Sequence, residues 1–264
     1  MDVSMMDLEK IVCPESLDEA VTLLAQFGQD IRIYAGGTDL LVMMRKGKHT
    51  AKYLMDIGGL PLNYICGRKD GSVAIGAMAT LSDVSRHPLL TREPYLFLQE
   101  AARHVGSQQI RNMATLVGNV CTGIPSADAA PPLLALAAQV RAASRRGVRL
   151  IPLADFFLGP RQLSLEPDEL VTELILPPEP DGSRTFFRKV GTRKELFISI
   201  LNAALQCRVG PGGCVEEVRI ALGVMSPVPM RLRGTELFLT GRYLSGPVVE
   251  EALAIMQTEV HPRS

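Results

Sequence analysis

The sequence predicts an α+β chain in three pieces, spanning 1–57, 58–179 and 180–264. Three observations lead there. Strand and helix signals alternate through the first 57 residues. The middle section carries paired strand signals around Asp70-Gly71 and Arg146-Gly147, which read as hairpins. Finally, Pro177-Pro178-Glu179-Pro180-Asp181-Gly182-Ser183 cannot continue a helix or a central strand, so it marks a linker. At roughly 100–200 residues per domain, 264 residues suit two domains or three small ones.

Taken in order, Ser16 and Glu19 have the spacing of a capping box ahead of a helix over 20–27, which Gly28 stops. Residues 31–34 alternate as a short strand, 35–39 turn, 40–44 read as a short helix, and 53–57 form another strand that Gly58-Gly59 breaks. Segments 62–67 and 72–75 flank the Asp-Gly turn, and 81–86 and 94–105 have helical spacing. Residues 106–128 are small and polar without a clear period. A helix over 131–138, a hairpin over 139–151 and a strand over 170–176 follow. Beyond the linker, 185–190, 199–209 and 215–224 read as strands, with Gly210-Pro211-Gly212-Gly213 turning the last two, and 231–239 and 247–259 as helices.

Composition excludes several functions. The 28 basic residues equal the 28 acidic ones, whereas nucleic-acid binding needs a basic excess. The balance also opposes a polybasic membrane anchor, and no apolar run approaches the ~20 residues that span a bilayer. Hydrophobic residues, at 47%, are too many for a disordered chain. The N-terminus lacks the basic and apolar regions of a signal peptide, so the cytoplasm is expected. The five cysteines (13, 66, 121, 207 and 214) and four histidines are scattered, so no metal site is expected on this chain. The cysteines read as packing residues. There is no G-x-S-x-G and no pair of glutamates placed as acid and base, so no catalytic residue is assigned.

Two loops stand out. Ala35-Gly36-Gly37-Thr38-Asp39-Leu40 follows a strand and opens a helix. Such a turn aims backbone N–H groups outward, and glycine lets an anion approach closely. It reads equally as a tight turn capped by Thr38 or Asp39. It is neither a P-loop nor a G-x-G-x-x-G fingerprint. The second loop runs through 109–132. Its length and apolar content suit a ligand-lining segment, although Asp128 reads equally as the cap of the next helix. Arg111 is open to a phosphate or to a surface contact.

Together these loops resemble the FAD-binding subunits of the molybdenum hydroxylases, such as xanthine and aerobic carbon monoxide dehydrogenase. The family's A-G-G-T-D-L is met by 35–40. Its A-T-I-G-G-N, then P-x-A-D-x-x-P, is met at Ala114, Thr115, Gly118, Asn119, Pro125, Ala127, Asp128 and Pro131. Its I-G-A-x-x-T-L matches Ile75 to Leu81, and its F-x-K-x-x-x-R matches Phe187, Lys189 and Arg193. One departure stands at Val117, where the family carries glycine; if the backbone there needs positive φ, valine is strained.

The resemblance implies two N-terminal α+β domains forming a PCMH-type FAD-binding fold, and a C-terminal domain of antiparallel sheet and helices. It implies non-covalent FAD. Backbone groups around Ala35, Gly36, Gly37, Thr38, Asp39 and Leu40 are then expected at its diphosphate, with Gly118 and Asn119 adding donors. Thr115 and Asp128 suit the ribityl hydroxyls, and Asp39 bonds backbone or sugar rather than phosphate. Ala77 and Thr80, with Ala114 and Ser126, complete the expected cofactor shell. Lys189 is the candidate cation beside the flavin ring, where charge gathers on reduction; its alternative is an exposed strand lysine.

The resemblance further implies a large molybdopterin subunit that oxidises substrate and a small subunit with 2Fe–2S clusters, assembled as a dimer of heterotrimers. This chain would collect electrons on FAD and pass them to NAD⁺, oxygen or a quinone-type acceptor. Two other readings stay open: a flavin-less structural subunit of the same complex, and a stand-alone flavoprotein of related fold.

Overall fold

The computed structural model describes residues 8–191 and 198–262. The first unit holds β1 (Lys10–Val12), α1 (Leu17–Phe27), β2 (Ile31–Tyr34), α2 (Leu40–Arg45) and β3 (Tyr53–Asp56). Its strands form a parallel sheet in the order β1-β3-β2. The Ser16 side chain caps α1 by accepting from Glu19 N, and Gly28 ends the helix at φ 51°. The capping box is incomplete: the Glu19 carboxylate reaches Glu15 N at 2.8 Å instead of Ser16 N. The short β1 was not expected; three residues carry too little pattern to stand out.

The second unit comprises β4 (Ile65–Gly67), β5 (Val73–Gly76), α3 (Leu81–Val84), α4 (Leu96–Arg103), α5 (Gln108–Met113), α6 (Leu116–Cys121), α7 (Ala130–Ala135), β6 (Gln139–Ser144), β7 (Gly147–Pro152), β8 (Phe157–Gly159), β9 (Gln162–Leu163) and β10 (Leu170–Leu176). Its main sheet runs β4-β5-β10-β6-β7, all neighbours antiparallel, and both expected hairpins are present. Every residue of β10, the central strand, is buried. The stretch over 106–128 proves to hold two helices. Each is six residues long, too short to show a period, and each is announced by its cap: Ser107 accepts from Ile110 N and Thr115 from Gly118 N.

The third unit contains β11 (Arg184–Val190), β12 (Leu201–Val209), β13 (Val215–Gly223), β14 (Met230–Arg231), α8 (Arg233–Leu239) and α9 (Gly246–Glu259). The sheet order is β11-β12-β13-β14, antiparallel throughout. One buried cluster runs from Ala20 and Met55 of the first unit through Phe97, Leu133 and Leu174 of the second to Phe187, Ala204 and Ala221 of the third. Packing of α7 on β12 and β13, and of α4 on β11, makes that junction. A second, smaller cluster fills the space between the C-terminal sheet and α8 and α9. No helix among the described residues is long and apolar enough to cross a membrane.

Candidate functional site

The two glycine-bearing loops meet. The turn after β2 and the start of α6 line one cavity of about 490 Å³, a size within the usual range of small-molecule and cofactor sites. Ala35, Gly36, Gly37, Thr38, Asp39 and Leu40 form one wall, and Ala77, Ala114, Thr115, Gly118 and Asn119 stand on the other. Apolar side chains, among them Ile33, Ile57, Ile124, Leu163 and Leu165, supply most of the remaining surface.

Local chemistry dictates how the walls join. A β-carbon on Gly36 would collide with the Met113 carbonyl oxygen and stand 2.9 Å from the Ala114 Cα. Glycine at 36 therefore serves the approach of the second loop's backbone as well as that of any ligand. Gly37 has φ 69°, a left-handed conformation that suits glycine. Among the described residues, the backbone N–H groups of Gly36, Gly37, Thr38 and Asp39 donate to no protein oxygen. The second loop is pinned in turn to the end of β5. Leu81 N donates to Ala114 O (2.8 Å), Leu116 N donates to Ala79 O (3.1 Å), and Thr80 and Thr115 form a β-bridge.

Thr115 is 2% exposed, and its hydroxyl accepts from Gly118 N at 2.9 Å. A β-carbon at 118 would lie 2.8 Å from that oxygen, so glycine there leaves room for the cap. Val117 carries no strain: it sits inside α6, and it is not among the non-glycine residues with positive φ, which among the described residues are Ala137, Arg161 and Val224. The demand for glycine falls on 118. Asn119 faces the same cavity, and its side-chain oxygen is buried with no hydrogen-bond partner among the described residues. A buried acceptor without a donor is costly, and a bound donor group relieves it.

Two carboxylates line the cavity, each neutralised by an arginine. Asp39 holds the N-cap position of α2 that one sequence reading gave it, but its side chain makes no cap hydrogen bond; its oxygens stand 3.0 and 3.4 Å from the Arg161 guanidinium instead. Glu169 takes two bonds from Arg149 (2.6 and 2.8 Å) and one from Glu166 N. Desolvation pushes the Glu169 carboxyl up, but these donors outweigh it and hold it below the ordinary range. Cys121, in the wall, is a thiol at neutral pH, because burial pushes it up to about 12.

Four expected site residues do not line the cavity. Thr80 caps α3 in a capping box with Asp83. Ser126 lies in the loop ahead of α7, on which Val224 N bonds Pro125 O. Asp128 does not cap α7, whose N-cap is Ala129. Instead it forms a buried ion pair with Lys189 at 2.6 Å and accepts from Ser199 and Asn202. Lys189 is therefore no exposed strand lysine: its side chain is 4% exposed, and it also donates to His104 O. Arg111 directs its guanidinium to Val105 O, Gly106 O and Gln108. Arg193 of the fourth motif lies outside the described residues. Arg161 and the strip Glu169–Val171 were missed. The first sits at φ 59°, where an arginine gives no sequence signal, and the second is indistinguishable from ordinary core strand.

Fold and site together define a cofactor-binding subunit, in which amide-bearing turns face an apolar cleft between two α+β units. Residues 5–179 match the family described as the FAD binding domain in molybdopterin dehydrogenase, and 186–264 match the CO dehydrogenase flavoprotein C-terminal domain. The xanthine dehydrogenase FAD-binding subunit of Escherichia coli O157:H7 is 34% identical, over 94% of this chain and 85% of the relative. The nicotinate dehydrogenase FAD-subunit of Eubacterium barkeri is 33% identical, again over 94% and 85%. Among solved structures, carbon monoxide dehydrogenase from Hydrogenophaga pseudoflava superposes with a TM-score of 0.91 at 30% identity, over 97% of this chain and 88% of that one. The chain belongs to the family of FAD-binding subunits of molybdenum hydroxylases. Its homologues are dehydrogenase subunits, and it is an oxidoreductase subunit of the same kind.

Proposed function

We propose that this chain seats FAD in the cavity between the 35–40 turn and α6, and serves there as the electron-transfer subunit of a molybdenum hydroxylase. The observation that carries the reading is the convergence of both loops on one cleft, with amides that donate to no protein oxygen among the described residues on one side and the buried, unpartnered Asn119 oxygen on the other. The residues fit the cofactor. Unspent N–H groups at Gly36, Gly37 and Thr38 suit a diphosphate. Asn119 and Thr115 suit hydroxyl partners, and the apolar walls exclude water from a ring.

When bound, FAD supplies the means to take electrons singly and release them as a pair. In this reading Ala77 and Ala114 keep the wall narrow, while Thr80 and Ser126 hold the loops in place from behind. Asp128 and Lys189 do not line the cavity but form a buried pair; in this reading the Lys189 charge acts from outside the lining on negative charge that develops in the site. Electrons arrive from 2Fe–2S clusters on a small subunit, downstream of a molybdopterin large subunit, and the three chains assemble as a dimer of heterotrimers. They leave to NAD⁺, oxygen or a quinone-type acceptor. The scattered free thiols suit a reducing compartment, in line with a cytoplasmic enzyme.

The test is the absorption spectrum of the purified chain, with and without added FAD. Flavin bands at about 370 and 450 nm that weaken in Thr115→Ala are the expected result. A colourless chain that also ignores added FAD overturns the reading in favour of a flavin-less scaffold.

A further inference from the structure

Arg161 combines an uncommon backbone conformation with a partner distant in sequence. It is one of three non-glycine residues with positive φ among the described residues, at 59°. The segment is fixed there by Gly123: Arg161 N donates to Gly123 O at 2.8 Å, and a β-carbon on Gly123 would stand 2.9 Å from the Arg161 Cα. Held this way, the side chain pairs with Asp39, a residue 122 positions earlier in the chain. Both residues line the cavity, and both side chains are 34% exposed. A strained backbone that aims one charged group at another points to function.

Asp39 poses the complementary problem. Its turn carries the amides of Gly36, Gly37 and Thr38, which donate to no protein oxygen among the described residues, yet it also carries a negative charge lining the same cavity. A bare carboxylate there repels an incoming diphosphate. We infer that Arg161 is a positioning residue for the cofactor: it neutralises and fixes Asp39, so that a turn bearing a carboxylate can accept a diphosphate. The inference rests on the FAD reading above. It assigns the anion tolerance of the turn to a side chain from the β8–β9 hairpin instead of to the turn itself.

The test titrates the full-length chain with FAD and follows flavin fluorescence. Arg161→Gln is expected to weaken binding about tenfold, the scale of one unscreened charge near a surface. Arg161→Gly removes the same charge while relaxing the left-handed backbone, so it is expected to fold at least as well and to bind as weakly. Adding Asp39→Asn to Arg161→Gln is expected to restore affinity to near the parent value. Raising salt from about 0.05 to 0.5 M is expected to strengthen binding by Arg161→Gln, because screening relieves repulsion. Parent-like affinity in either Arg161 variant, or a double variant as weak as Arg161→Gln, overturns the inference while leaving the FAD reading intact. A parent chain that binds no FAD overturns both.

Discussion

Gly36 and Met113 lie so close that a β-carbon on the first would overlap the carbonyl oxygen of the second. At this point the first unit's turn meets the second unit's loop backbone to backbone. Gly36→Ala forces the two backbones apart. The expected cost is about 1–3 kcal/mol, the range for overpacking a tight site, with a parallel loss of flavin binding. Urea denaturation and flavin titration of the same variant measure both. Gly246→Ala is the control, since a β-carbon there meets nothing within 4 Å.

Thr115 links the site to stability in a different way. Its hydroxyl caps α6, and α6 carries Gly118 and Asn119 into the cavity. Thr115→Ala is expected to lose about 1 kcal/mol, a typical cap contribution, and to weaken flavin binding. Thr115→Ser keeps the oxygen and is expected to restore both. The urea midpoints of the pair, measured beside their flavin affinities, decide whether capping carries the effect.

How much of this was legible in the sequence depends on the length scale of each signal. The hairpin at Asp70-Gly71 and the α1 cap at Ser16 announce themselves because a turn or a cap is decided within about four residues. The loops at 35–40 and 114–119 were recognisable as a set through their order, and the cavity unites them. Helices α5 and α6 were not legible, because six residues make fewer than two turns. Nor was Arg161, whose role depends on a partner far away in sequence and on a φ that arginine does not advertise. The ring-side reading of Lys189 came from resemblance; its buried pairing with Asp128 came only from the fold.

Glu173 sits on the central strand β10 and is 1% exposed. It accepts from Tyr64 (2.7 Å), Arg68 (2.5 Å) and Arg141 (3.1 Å). Desolvation raises its carboxyl, yet the three donors and the Arg68 charge outweigh that and hold it below the ordinary range. A depressed folded value means that the stabilisation is whole above the unfolded value of about 4.3 and drains away as pH falls through the lower folded value. Glu173→Gln is therefore expected to flatten the acid limb of the stability curve below about pH 4.5. At pH 7, Glu173→Ala is expected to cost about 1–3 kcal/mol, because Tyr64 and two partly exposed arginines lose their shared acceptor. Urea midpoints for parent and variants at pH 7 and pH 4 provide the check; equal acid sensitivity in parent and Glu173→Gln would remove this carboxylate as the cause.

Lys189 and Asp128 present the last test, because one variant separates structure from redox tuning. The pair is buried, and Ser199 and Asn202 brace the aspartate from β12 and the residues before it. Lys189→Met leaves Asp128 charged and short of its cation, so a stability loss of about 3 kcal/mol is expected. The double variant Lys189→Met with Asp128→Asn removes both charges and is expected to recover most of that loss. If Lys189 serves only the fold, the flavin midpoint potential of the double variant equals that of the parent. If its charge also stabilises the reduced ring, the potential stays lower in both variants, by about 30 mV for each ~1.4 kcal/mol of lost stabilisation in a two-electron couple. We expect the lower potential, measured by spectroelectrochemical titration. A parent-like potential in the refolded double variant would assign Lys189 to the junction of the second and third units alone.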